Sequence, residues 1–210
     1  MSFVDRVDAG RQLGAALQGY AGAHPVVVGL PRGGVPVARE VARALHARLD
    51  VIVVRKIGVP GHEELGLGAL SEDGVVVFND DVRASARVPA RDLEAALGRE
   101  RANLQRRLVR IRATVPRADI AGRTVIIVDD GVATGIDARA ACRVARGRGA
   151  SQVVIATPVA PDDWRARLSG EADAYVAVEE SPYFTAVGQF YEDFAPTSDE
   201  EVLECLQPAS

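Results

Sequence analysis

Two adjacent acidic residues, Asp129 and Asp130, are the side chains best suited to chemistry, because they lie between an apolar run and a glycine-bounded turn. The apolar run is rich in β-branched residues and predicts a strand that is buried on both faces. The turn supplies flexible backbone and one hydroxyl group, and residues 137–146 after it predict a helix. Its five residues, called the signature turn below, are Gly131, Val132, Ala133, Thr134 and Gly135.

Such a turn directs backbone N–H groups and the positive end of a helix dipole at one point, which favours a bound phosphate. The two carboxylates repel a phosphate and instead require hydroxyl groups or a cation. The expected ligand therefore carries a phosphate at one end and a diol or metal ion close by, as a phosphorylated ribose does. An ordinary strand-to-helix turn is the alternative.

Apolar runs alternate with helical patterns along the chain, which predicts an α/β fold with a mainly parallel sheet and helices on both faces. With 210 residues, the chain is long enough for one such domain and a small appendage. A helix is predicted over 5–20 and another over 36–49. The predicted sheet strands cover residues 25–30, 50–54, 124–128, 152–158 and 174–178.

A second loop, Pro31-Arg32-Gly33-Gly34, follows the first predicted strand. Gly33 and Gly34 allow close backbone approach, and the Arg32 guanidinium suits a bidentate phosphate contact. Ligands of open parallel sheets gather outside the carboxyl ends of the strands, so this loop is expected to face Asp129 and Asp130 across one crevice. A tight turn with a solvated arginine is the alternative.

Residues 125–135, Val-Ile-Ile-Val-Asp-Asp-Gly-Val-Ala-Thr-Gly, resemble the signature of type I phosphoribosyltransferases, which bind 5-phosphoribosyl-1-pyrophosphate (PRPP). The resemblance implies a doubly wound, five-stranded sheet in a single domain over 1–210, with its core at about 24–180. A small hood would come from the N-terminal segment and residues 181–210, and the helix at about 89–113 would be an excursion. It also implies a homodimer.

The family reaction is displacement of pyrophosphate from PRPP by a nitrogenous base. The resemblance implies that Asp129 and Asp130 hold the ribose hydroxyls and that the signature turn holds the 5′-phosphate. The departing pyrophosphate would contact Arg32, Gly33, Gly34 and Lys56. Mg²⁺, the implied cofactor, would arrive with PRPP, and Asp129 and Asp130 are its candidate protein ligands.

Lys56 follows the second predicted strand, where a solvated strand end is the alternative to a pyrophosphate contact. Residues 57–70 after it are rich in glycine and predict a long loop. In the family that the chain resembles, a flexible loop in this region closes over PRPP. A short strand at residues 75–78 is expected at a sheet edge or in a hairpin.

The acceptor base and the activity stay open at this point. Ala133 stands where the 6-oxopurine enzymes of the family carry an aspartate, and a methyl group cannot move a proton. Alanine before Thr-Gly is more similar to the adenine-type signature, whose other motifs are absent. A non-catalytic PRPP-binding or regulatory module of the same fold is the rival hypothesis. Arg32 and Lys56 favour the transferase, because a sensor has less use for contacts to a leaving group.

Composition excludes several other classes. The net charge of −4 and the hydrophobic content of 48% are typical of a globular protein and not of a nucleic-acid binder. The arginines of the helix at 89–112 are expected to form a solvated face rather than a polyanion site. Cys142 and Cys205 are expected to be free thiols, and no metal-ligand spacing is present. No apolar run reaches a membrane-spanning length and no signal-peptide core is present, so a cytoplasmic location is expected.

The tail of the chain is rich in aromatic residues. Base stacking and a satellite apolar cluster or dimer contact are equally compatible with this pattern. The residues are Tyr183, Phe184, Phe190, Tyr191 and Phe194.

Overall fold

A computed structural model describes residues 2–207, without the side chains of Glu63 and Glu64. Within these residues, eight strands form two sheets, and the larger sheet contains five strands that are all parallel, in the order β2-β1-β6-β7-β8. The predicted five-stranded parallel sheet is therefore confirmed. The strands are β1 (Val26–Gly29), β2 (Arg48–Val51), β3 (Val54–Val59), β4 (His62–Ser71), β5 (Val76–Phe78), β6 (Thr124–Val128), β7 (Gln152–Pro161) and β8 (Ala174–Ser181).

Seven α-helices accompany these strands in the described part of the chain. Two short 3-10 turns, Gln18–Ala23 and Val187–Phe190, lie outside them. The helices are α1 (Arg6–Ala16), α2 (Gly34–Ala44), α3 (Asp80–Ala86), α4 (Ala90–Thr114), α5 (Ile136–Gly147), α6 (Trp164–Arg167) and α7 (Asp199–Leu206). None of these helices combines the length and the hydropathy that a membrane-spanning helix requires.

The five-stranded sheet is covered on both faces, because successive side chains of a strand point to opposite sides. In β6, Val125 and Ile127 pack toward α5, whereas Ile126 and Val128 join the core formed with α1 and α2. Every residue of β6 is buried. This two-sided burial explains the uninterrupted apolar run that precedes the acidic pair.

The direction in which the sheet is built reverses between β1 and β6. From β1 the chain continues to β2 on one side, whereas β6 pairs with β1 on the other side and is followed outward by β7 and β8. The carboxyl ends of β1 and β6 therefore flank a topological switch point, which is where ligands of open α/β sheets bind. The loop of residues 31–34, called the glycine loop below, and the acidic pair of Asp129 and Asp130 both start at this edge.

The second predicted strand, 50–54, and the helix predicted at 36–49 differ from the structure. Helix α2 ends at Ala44, β2 begins at Arg48 and ends at Val51, and Val54 already belongs to β3 in the other sheet. Ile52 and Val53, which join β2 to β3 in the chain, are buried. A single apolar run thus serves two sheets, and its hydrophobicity alone does not mark the point of division.

The prediction of a loop at 57–70 is wrong, because this segment forms most of an antiparallel hairpin of β3 and β4. β5 pairs with β4 and completes a three-stranded sheet. The glycines have specific places in it: the pairing shifts register around Gly58, and a Cβ on Gly68 would lie 2.4 Å from the carbonyl oxygen of Val77. Here glycine allows bulging and close strand approach rather than a loop.

Helix α4 is anchored by a buried ionic cluster that the sequence did not reveal. The Glu72 carboxylate, with no exposed side-chain surface, accepts from Arg112 and Arg117 at 3.3 and 3.0 Å and also pairs with Arg148. Arg112 also pairs with Asp50 on β2. The excursion is therefore tied to both sheets, whereas Val109 on its outer side is exposed.

The start of the chain packs against residues around 187–196, and these two segments together are called the hood below. Phe3 is fully buried and pairs with Tyr191, and its backbone exchanges hydrogen bonds with Phe190 and Glu192. Most of the aromatic cluster is therefore packed core, and Tyr183 is its exposed member. The tail differs from the predicted hood at its end, since α7 packs against α2 and α4. Residues 208–210 lie outside the described part.

Both cysteines are free thiols, and of the two only Cys142 is buried as expected. Cys142 is buried inside α5, and burial raises the pKa of its thiol to about 12. Cys205 in α7 is half-buried.

Candidate active site

The acidic pair and the glycine loop meet at the switch point. A Cβ on Gly33 would lie 1.9 Å from Oδ2 of Asp130, and a Cβ on Gly34 would lie 2.7 Å from the carbonyl oxygen of Val128 and 3.0 Å from Oδ1 of Asp129. Any side chain at either position would collide with the end of β6. The two sequence motifs thus share one surface, as expected.

The glycine loop also contains a cis peptide bond between Pro31 and Arg32. Arg32 is exposed. Gly34 begins α2, so the backbone after Arg32 enters a helix directly.

Two hood residues, Arg6 and Tyr191, hold Asp130 in place. Arg6 Nε donates to Asp130 Oδ2 at 2.8 Å, and only 12% and 15% of the two side chains are exposed. The Arg6 guanidinium also donates to the carbonyl oxygen of Ala195 at 2.8 Å and lies 4.0 Å from the centre of the Phe194 ring. The Tyr191 hydroxyl donates to the backbone oxygen of Asp130 at 2.6 Å.

Burial raises the pKa of both carboxyl groups of the pair. For Asp129 the shift is large, because burial is reinforced by the charges of Asp130 and Asp137. For Asp130 burial also raises the pKa, but the Arg6 guanidinium opposes it. Two close carboxylates cannot both ionise freely, so Asp129 is the member that holds a proton more readily.

The conformation of the signature turn depends on its glycines. Gly135 has φ of +74° at the start of α5, and a Cβ on Gly131 would lie 2.4 Å from Val187 in the hood. The Val132 amide donates to the carbonyl oxygen of Val159 at 3.0 Å, whereas Ala133 and Thr134 are exposed. Val132 is thus anchored to β7, and the exposed surface of the turn comes from Ala133 and Thr134.

Lys56 lies in β3, not at the end of a strand of the main sheet, so its predicted setting is corrected. It faces a cavity of about 320 Å³ between the hairpin and the signature turn. Thr134 and Asp137 line the same cavity, and the charge of Lys56 lowers the pKa of Asp137 while burial raises it more. The structure therefore places Lys56 on the Thr134 side of the acidic pair.

The sequence interpretation missed three residues of this site: Arg6, Tyr191 and Asp137. Arg6 and Tyr191 are 124 and 61 positions from Asp130 in the chain, and no local pattern links them to it. Asp137 carried a local signal, since it is an acidic residue two positions after the signature turn. Among the described residues, no group of three or more His, Cys, Asp and Glu side chains is arranged to hold a metal ion.

A family model described as "Phosphoribosyl transferase domain" matches residues 8–194, which include the glycine loop, the hairpin, the acidic pair and the signature turn. The chain belongs to this family. The resemblance of the signature to type I phosphoribosyltransferases is thereby confirmed.

Sequence similarity to known proteins covers nearly the whole phosphoribosyl transferase chain. Two proteins of Mycobacterium tuberculosis, from strains CDC 1551 / Oshkosh and H37Rv and provisionally named as phosphoribosyl transferases, are each 51% identical over 207 residues, or 99% of this chain. The match covers 47% of each relative, so the chain spans about half the length of these curated relatives.

Solved structures support the same fold. The crystal structure of the protein TT1426 from Thermus thermophilus is 43% identical, covers 98% of both chains and superposes with a TM-score of 0.82. A hypothetical protein from Neisseria gonorrhoeae, solved with bound ppGpp, covers 98% of this chain and 94% of its own with a TM-score of 0.53. At 11% identity, the second similarity shows the fold alone.

Proposed function

We propose that this phosphoribosyl transferase domain moves the 5-phosphoribosyl group of PRPP to a nitrogenous base and releases pyrophosphate. The observation that carries the proposal is the contact of Gly33 and Gly34 with Asp129 and Asp130 at the switch point. Their arrangement offers a sugar-binding carboxylate pair beside two anion-binding loops. PRPP carries one diol between two phosphate-bearing ends, which matches that order of groups.

The roles of the residues follow from charge. Asp129 and Asp130 would accept hydrogen bonds from the ribose hydroxyls and stabilise positive charge that develops on the ring. The signature turn and the start of α5 would hold the 5′-phosphate through backbone amides and Thr134. Arg32 and the glycine loop would hold the departing pyrophosphate. Catalysis on this proposal is chiefly positioning and electrostatic stabilisation.

The described side chains fit a Mg²⁺ ion that arrives with the ligand better than a resident one. Asp130 already pairs with Arg6, and the Asp129 Oδ1 atom accepts from the Asp130 amide at 2.9 Å. Mg²⁺ sites commonly use one or two carboxylates and complete their coordination with substrate phosphates and water. When bound, Mg²⁺ would neutralise charge on the leaving pyrophosphate; Asp129 and Asp130 are the residues that would contact it.

A PRPP-binding sensor without catalysis is the second candidate. The raised pKa of Asp129 is compatible with it, because hydroxyl binding alone does not require an ionised pair. The exposed Arg32 beside the glycine loop favours the transferase, since this cation suits a leaving group.

Pyrophosphate release distinguishes the two candidates. The protein is incubated with PRPP, Mg²⁺ and a panel of purine and pyrimidine bases, and pyrophosphate is followed by a coupled assay. Release that depends on one base supports the transferase and identifies its acceptor. Binding of PRPP by calorimetry without release under any base would support the sensor.

We expect Asp130→Asn to weaken PRPP binding at least tenfold, or about 1.4 kcal/mol, because a charged acceptor of ribose hydroxyls becomes neutral. Calorimetry with PRPP and Mg²⁺ measures the change. Asp119→Asn, at an exposed site after α4, is the matched control and should bind as the wild type does. Unchanged affinity of the Asp130 variant would contradict the assignment.

A further inference from the structure

Asp137 occupies an unfavourable place for an acid if the signature turn binds a phosphate. It is the second residue of α5 and lies in the first turn of that helix, where the amides and dipole attract anions. An ionised carboxylate there competes with a ligand phosphate for the same positive potential. Because like charges repel, the two anions cannot occupy this helix end together without a compensating charge or proton.

A second observation is that one oxygen of the Asp137 carboxyl group is buried and unpaired. Its Oδ1 atom is inaccessible to solvent and has no hydrogen-bond partner within the described part of the chain. Buried carboxyl oxygens are otherwise almost always paired, since an unpaired one loses its hydration without replacement. The side chain lines the cavity of about 320 Å³ that Thr134 also lines.

The charged groups around Asp137 come from two elements. Lys56 on β3 favours the ionised carboxylate of Asp137. The charge of Asp137 in turn raises the pKa of Asp129 at the end of β6. The other described residues that line the cavity carry no titratable side chain: Leu65, Gly66, Asn79, Val82, Thr134 and Ile136. Burial outweighs Lys56, so the pKa of Asp137 is raised.

We propose that Asp137 makes phosphate binding by the signature turn conditional on a proton. With its carboxyl group protonated, Asp137 donates its O–H to an oxygen of the ligand phosphate; with the group ionised, it repels that phosphate. The proton comes from solvent, and no covalent bond changes. This inference rests on the proposed function and adds a regulatory property to the same site: affinity for sugar phosphates falls as pH rises.

The direction follows from linkage. A ligand that requires the protonated carboxyl group loses affinity as pH rises through the pKa of that group, by up to about tenfold per pH unit. The phosphate of the ligand has its own ionisation near pH 6, which also changes binding with pH. A variant whose side chain at position 137 does not ionise separates these two effects, because the ionisation of the ligand is the same in both titrations.

The test compares the wild type with Asp137→Asn, whose amide has the same shape and donates at every pH. Ribose 5-phosphate and PRPP are titrated by calorimetry from about pH 5 to about pH 8.5, a range that spans the usual and the raised values for a carboxyl group. We expect the ratio of the two dissociation constants, wild type over variant, to grow at least tenfold across this range. The control is Asp92→Asn, because Asp92 is an exposed acid in the first turn of α4. This variant should show the same pH dependence as the wild type.

The outcomes separate the inference from the proposed function. If wild type and Asp137→Asn bind both ligands with a constant affinity ratio at every pH, the inference is overturned and PRPP binding stands. If neither protein binds either ligand at any pH, the proposed function fails as well. Thermal melting verifies that the variant is folded; if it is not, Asp137→Ser replaces it, and a wild-type-like pH dependence in that variant overturns the inference.

Discussion

At the scale of single residues, Asp129 and Asp130 are adjacent in sequence and unequal in environment. The same burial acts on both, but Arg6 compensates only Asp130, and Asp137 adds repulsion only to Asp129. The pKa of Asp130 is therefore raised against the opposing charge of Arg6, whereas the pKa of Asp129 is raised further because repulsion adds to burial. The difference comes from neighbours contributed by α1 and α5.

Replacement of Asp129 by Asn should stabilise the ligand-free protein. Burial raises the pKa of Asp129 well above its usual range, so the ionised group costs free energy in the folded state as pH rises. Asn removes this cost and keeps an oxygen that can accept from the Asp130 amide. We expect a gain of about 1–2 kcal/mol in unfolding free energy near pH 8, shrinking to nothing below about pH 4.

Urea unfolding of both proteins across this pH range measures the effect. The opposite trend, a gain that is largest in acid, would show that Asp129 is held ionised in the free protein. PRPP affinity should fall in the same variant, which would make Asp129 a residue that serves binding at the expense of stability.

The acidic pair and the signature turn were predictable from the sequence because their chemistry is local: strand, acids, glycines and helix follow one another within 24 residues, 124–147. Arg6 was not predictable in this way. It reaches Asp130 only because α1 packs across α2 and the sheet edge. No local sequence pattern distinguishes Arg6 from the many other arginines of the chain.

At the scale of elements, β2 and the β3–β4 hairpin show where pattern reasoning fails. The apolar residues 50–54 satisfy the pattern of one strand, but packing divides them between two sheets, since Asp50 is held by Arg112 and the Ala118 amide. The glycines of the hairpin predicted a loop because glycine weakens strands on average. At Gly68 a glycine is required inside the strand, because β5 approaches so closely that no side chain would fit.

The ionic cluster around Glu72 should be essential to the element arrangement. Glu72→Gln removes the fully buried charge that Arg112, Arg117 and Arg148 share. Within the described part of the chain, Arg112 then keeps only Asp50 as an ion-pair partner, and Arg148 keeps only Asp73. We expect a loss of about 3–5 kcal/mol in unfolding free energy, as for other buried pairs broken on one side.

Glu94→Gln is the matched control, because Glu94 is an exposed glutamate on α4 and its change should stay within about 0.5 kcal/mol. Chemical denaturation of both variants measures the difference. Equal stability of the two would mean that hydrophobic contacts of Leu104 and Ile111, and not the ion pairs, hold α4.

At the scale of the whole molecule, the hood and the main sheet are joined through the site itself. Arg6 and Tyr191 both end on Asp130, and Val187 packs against Gly131. The aromatic residues of the hood, whose role the sequence left open, mostly fill a satellite core around Phe3. The position of the hood and the geometry of the acidic pair consequently depend on each other.

Arg6→Gln tests this dependence. The variant leaves Asp130 partly buried without its guanidinium, so we expect a loss of about 2–3 kcal/mol in unfolding free energy at neutral pH. The loss should shrink in acid, where Asp130 becomes protonated and needs no cation.

Arg11→Gln on the same helix is the control for this variant. Arg11 is 70% exposed and lies 3.5 Å from Glu40, so its change should cost no more than about 1 kcal/mol. Urea melts near pH 7 and pH 4.5 compare the two. A loss in the Arg6 variant that does not depend on pH would indicate that packing against Phe194, rather than charge, is what Arg6 contributes.

The thiol of Cys142 can report on local opening of this fold. It has no exposed surface and lies in α5 behind the signature turn, and its pKa of about 12 leaves almost no reactive thiolate at neutral pH. A thiol reagent can therefore modify it only while α5 is detached from the sheet, whereas the half-buried Cys205 has an easier route. The rate of the slower modification therefore measures how often α5 opens.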